Sequence, residues 1–113
     1  FLEAWSKTMS LDFKDFEDYR KKYGPIAGSQ SQRALDEVSV LFEGIGVLLH
    51  RRLINIGLVD DLFSSIIKLG WEKIKPIAEG IRKELNRPQL YEWFEYLYNE
   101  MQKREQTLQP LTT

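Results

Sequence analysis

From Ile67 to Leu85 the chain reads IKLGWEKIKPIAEGIRKEL, and its apolar residues keep a helical step throughout, although Gly70, Pro76 and Gly80 interrupt it. Counted from Phe63, the positions Phe63, Ile67, Gly70, Ile74, Ile77, Ile81 and Leu85 advance by three or four residues without losing phase. Residues three and four apart share one side of an α-helix, so this rhythm defines a helix face. A break at Pro76 would scramble the phase. The pattern therefore predicts a continuous helix over about 61–85, kinked where Pro76 removes the hydrogen bond to the Glu72 carbonyl. An interior proline costs about 3 kcal/mol and a glycine about 1 kcal/mol relative to alanine, a loss that close helix packing can offset. Gly70 falls on the apolar stripe, and Gly44 and Gly46 offer the same close approach on the preceding helix.

Three further segments carry the helical period, and none alternates as a half-buried strand would. In SLDFKDFEDYRKKYG, Ser10 is the expected N-cap, acids lie early, bases lie late, Gly24-Pro25 ends the helix, and Phe13, Phe16, Tyr19 and Tyr23 form the apolar face. A helix over about 31–53 follows, with Ser29 or Ser31 as cap and Ala34, Leu35, Val38, Leu41, Phe42, Ile45, Leu48 and Leu49 on its stripe. NIGLVDD is the expected connection: Gly57 supplies a positive φ, and Asp60 or Asp61 starts the next helix. The last helix is expected to start from an Asn86 cap with Pro88 in its first turn. Leu90, Phe94, Leu97 and Met101 form its core row, broadened by Tyr91, Trp93 and Tyr98. FLEAWSKTM, residues 1–9, reads as a short helix or the end of a longer upstream one, with Leu2, Trp5 and Met9 as contacts; residues 107–113 read as a frayed tail. The expectation is one all-α domain over 1–113, a compact bundle of four to five helices with a proline-kinked third main helix.

A chain of 113 residues buries about 65% of its unfolded surface, enough for a single core. With no cysteine there is no disulfide framework, zinc–cysteine site or thiol nucleophile, and cytosolic residence is permitted. Sixteen basic and seventeen acidic residues leave a net charge of -1, so the whole-chain field gives no reason to expect a nucleic-acid partner. No apolar run approaches the roughly 20 residues that cross a bilayer, so this piece is not expected to insert in a membrane. It opens on Phe1 rather than Met, which leads to the expectation that the natural chain begins earlier and that an anchor could precede it.

Candidate chemistry is sparse. His50 is the single histidine, and its expected role is to complement the negative end of a helix. A di-iron carboxylate site needs a Glu-x-x-His pair on each of two helices, which one histidine cannot provide. Gly44 to Gly46 sits inside a helix rather than between strand and helix, so it is no phosphate loop. Ser64 and Ser65 lack a partner base in the sequence. We therefore expect no catalytic residues, no metal ligands and no cofactor. The aromatics exceed what one face of a short helix can bury, so Trp71, Tyr91, Trp93 and Tyr96 are the candidate interaction surface, Tyr96 foremost because it lies off the core row.

LFEGIGVLLHRRLINIGLVDDLF, with WEKIKPIAEGIRKE and YEWFEYLYNEM, resembles a family of prokaryotic domains of unknown function, DUF4760. The matching elements are Phe42, Glu43 and Gly46; Gly57, Leu58, Val59 and Asp60; Trp71 and Pro76; Arg82; and Phe94, Glu95 and Leu97, within residues 15 to 100. The resemblance implies an all-helical domain, often following membrane-spanning segments, with no established activity. It singles out Glu43, Arg82 and Glu95 as a candidate interhelical polar network or ligand site. Two functions follow as expectations. One is a non-enzymatic helical interaction or regulatory module, binding itself or another protein, as the cytoplasmic part of a membrane-anchored protein at the inner face of the membrane. The alternative is a small-molecule or anion sensor built on Glu43, Arg82 and Glu95.

Overall fold

Two aspartates fix the start of one helix and show how local the chain's boundaries are. Asp15, extended at φ -153°, accepts a hydrogen bond from the Asp18 N–H, and Asp18 reaches back to the Lys14 N–H at 2.9 Å. These reciprocal caps begin the helix at Phe16 rather than at Ser10. In this computed structural model, which describes residues 1–24 and 29–108, five helices follow in order: α1 (Leu2–Met9), α2 (Phe16–Tyr23), α3 (Gln30–His50), α4 (Ile56–Leu85) and α5 (Glu92–Leu108). No strand occurs among the described residues.

Several boundaries differ from the sequence reading. Ser10 is the C-cap of α1, not the N-cap of α2. The buried residues of α1 are Ala4 and Thr8, with Trp5 packed against the core, whereas Leu2 is 80% exposed. Gly24 ends α2 at φ 79°; Pro25 and the QPLTT stretch at 109–113 lie outside the described residues. Ser29 caps α3 through the Gln32 N–H, and α3 stops at His50, three residues short of Leu53. The left-handed residue of the α3–α4 turn is Arg52, at φ 60°, not Gly57. Gly57 lies in the first turn of α4, because Asn55 Oδ1 takes the Leu58 N–H at 2.8 Å and starts that helix earlier than Asp60 or Asp61. Asn86 ends α4 in the left-handed region at φ 52° instead of starting α5, and Pro88 lies in the turn between them. Helix α5 continues to Leu108, past the expected fraying at 107.

The α4 period holds as expected. The helix runs unbroken through Pro76, with Ile67, Gly70, Ile74, Ile77 and Ile81 buried. Pro76 and Glu72 are both exposed, so water is at hand for the carbonyl that proline leaves unpaired. Helix α5 packs against both α3 and α4, while α1 lies chiefly on α3 and α2 on α4. Phe94 forms the centre, with ring centroids 5.0 Å from Phe42 and 5.2 Å from Trp71.

Glycine sets two of these contacts. At Gly46 an added Cβ would stand 2.8 Å from the Trp93 carbonyl carbon and nearer still to its oxygen, so α3 and α5 meet backbone to backbone there. At Gly80 it would enter the Phe16 ring, which seats α2 on α4. Gly44, by contrast, is exposed with nothing within 4 Å, so it permits no close approach.

Candidate functional site

Glu43, Arg82 and Glu95 come together around the start of α5, each arriving from a different helix. Glu43 points from α3 to the first turn of α5, where its Oε1 accepts the N–H groups of Trp93 at 3.1 Å and Phe94 at 2.9 Å. Those are donors that the helix itself cannot satisfy. From α4, Arg82 donates Nε to the Leu90 carbonyl at 2.7 Å and Nη2 to Glu95 Oε1 at 2.9 Å, with its guanidinium 5.9 Å from the Trp71 ring centroid. The planar fork of arginine suits this double duty. Together the three side chains fasten Leu90 and the first turn of α5, on either side of Tyr91, whose φ of 63° is uncommon for a residue with a side chain.

Burial dominates the electrostatics. It raises the Glu43 carboxyl above its ordinary value, against the lowering effect of the Phe94 and Trp93 N–H bonds. It also pushes the Tyr91 phenol up to about 12, with the nearby Asp36 charge adding to the rise. The Asp36 carboxyl is raised by burial too, against the hydrogen bond from Gln32.

The sequence-predicted aromatic surface is only partly a surface. Trp71 is 1% exposed, and this corrects its assignment as an interaction residue: it fills the core beside Phe94. Tyr91 is half-buried. Trp93 and Tyr96 are half-buried as well, and both rings pack against His50, Trp93 tilted at 4.7 Å and Tyr96 edge-on at 5.5 Å between centroids. His50 is the exposed last residue of α3, the helix-end position expected for it. An open groove of about 590 Å³ runs beside this cluster, between the end of α3 and the far half of α5. Its lysine and one of its arginines have acidic partners, Lys103 with Glu100 at 2.9 Å and Arg104 with Asp60 at 3.0 Å. Glu43, Arg82 and Glu95 do not line it. Among the described residues no group of three or more potential ligands is placed to hold a metal, and no helix is long and apolar enough to cross a membrane.

The feature that the sequence reading missed is a line of leucines. Leu58, Leu62 and Leu69 are 45, 60 and 49% exposed, on a side of α4 separate from its buried stripe. Their spacing of four and seven is visible in the sequence, but the stronger Ile67–Ile81 period drew the helix face.

These features define an all-helical bundle whose most connected polar residues bind its own backbone. The family described as Domain of unknown function (DUF4760) matches residues 1–101, and the chain belongs to that family. The comparison with curated proteins and with solved structures finds no match.

Proposed function

We propose that this domain is a non-enzymatic helical interaction module working in the cytoplasm, with the leucine side of α4 as its binding surface. The observation that carries the reading is the second apolar stripe: α4 buries one face in the core and still presents Leu58, Leu62 and Leu69 to solvent. An exposed apolar row on a helix is the usual anchor set for another helix. The sensor alternative at Glu43, Arg82 and Glu95 has less support, because those groups are already bonded to the Trp93 and Phe94 N–H, to the Leu90 carbonyl and to each other. A photo-reactive amino acid placed at Leu62, and separately at the exposed Glu79, tests the reading in cells. Irradiation should give a covalent adduct from position 62 and none from 79. Failure at both positions would overturn it.

A further inference from the structure

Resting on that reading, we propose that the occupant of the α4 stripe is a second copy of this chain, packed antiparallel across a two-fold axis close to Ser65. Leu58, Leu62, Ser65 and Leu69 follow one another at spacings of four, three and four, the seam spacing by which one helix packs lengthwise on another. All four are exposed. A small residue in the middle of the seam lets the two backbones approach there.

Charge selects the partner and its direction. Asp61 and Lys68 are exposed, seven residues apart and therefore on the same flank of the seam. Neither forms an ion pair with any of the described residues. When two identical helices lie antiparallel, like flanks face each other, so a two-fold axis between these positions sets Asp61 of one copy against Lys68 of the other, twice over. The same axis sets Leu62 near Leu69 of the second copy. In a parallel pair the charged flank would instead face the flank of Ile66, and neither charge would be matched. The surface is thus complementary to itself in one orientation only.

The chain has no cysteine, so a single introduced thiol reports on one position. Ser64 and Ser65 are adjacent and both exposed, yet point about 100° apart around the helix. At the axis, facing Cα atoms of closely packed helices fall within the roughly 4.4–6.8 Å that a disulfide spans. Mild oxidation of dilute Ser65→Cys should give a dimer that reductant reverses, while Ser64→Cys stays monomeric. Reversing Asp61 or Lys68 alone should weaken self-association roughly fivefold, and reversing both should restore it. No dimer from Ser65→Cys, or equal dimer from both cysteines, overturns the second copy. If position 62 then still captures a different protein in cells and position 79 does not, the interaction module stands and only its partner changes.

Discussion

Glu43 on α3 holds Phe94 on α5: its Oε1 takes the Phe94 N–H at 2.9 Å across fifty-one residues of sequence. The first turn of the most central helix is thereby capped by a side chain from another helix. The polar trio fastens the fold, so substitutions at its members should change stability.

Replacing Glu43 with alanine leaves two helix N–H groups without their acceptor and should lower stability by about 1–3 kcal/mol. Glu43→Gln keeps an oxygen acceptor and removes a charge that burial opposes. Because burial raises the folded-state pKa, the folded protein holds the Glu43 proton more tightly than the unfolded chain does. Stability from this group is complete below the ordinary glutamate pKa and is lost as pH rises through the folded value. Denaturant unfolding at a series of pH values should therefore show the wild type losing ground to Glu43→Gln as pH rises across that range.

Two alanine substitutions on one helix should have opposite signs. Gly46→Ala drives a methyl group into the Trp93 backbone and should destabilise by about 1–3 kcal/mol. Gly44→Ala meets nothing within 4 Å and should stabilise by up to about 1 kcal/mol. Thermal unfolding of the two variants checks the pair.

The balance of what was legible follows from how far each signal reaches. The α4 period survived Pro76 because repeated burial at Ile67, Ile74, Ile77 and Ile81 is a local pattern that one missing hydrogen bond does not erase. Helix ends were misread where several polar residues competed for one cap: Asp15 over Ser10, Asn55 over Asp60, and Asn86 as a stop rather than a start. Glu43, Arg82 and Glu95 were named from the family pattern, but their bonds to backbone at 90–94 depend on tertiary geometry that no spacing reports. The surplus of aromatics over what one short helix face can bury points to Trp71 as surface, and only the packing of α5 shows that this one is covered.

Removing Arg82 should loosen the turn before α5. Arg82→Ala loses the Leu90 carbonyl bond and the Glu95 pair and should destabilise by about 2–3 kcal/mol. Arg82→Lys should recover little, since an ammonium lacks the planar fork that reaches both partners. Chemical denaturation, with limited proteolysis read at residues 86–91, measures both.

At alkaline pH, Tyr91 should resist ionisation longer than a free tyrosine. Its phenol is pushed up to about 12, so above the ordinary value of 10.0 the unfolded chain gives up this proton first and folding stability falls as pH rises between the two. Ultraviolet titration should show a late-titrating phenol that Tyr91→Phe removes, and that variant should lose less stability over the same interval.

Self-association through α4 is the central claim, and light scattering after size exclusion, over a wide range of concentration, tests it most directly. The wild-type mass should climb from 13.3 kDa towards twice that value as concentration rises. Leu62→Lys, a change at an exposed position, should hold at 13.3 kDa and unfold at the temperature of the dilute, monomeric wild type. A wild-type chain that stays at 13.3 kDa at every concentration would contradict the claim.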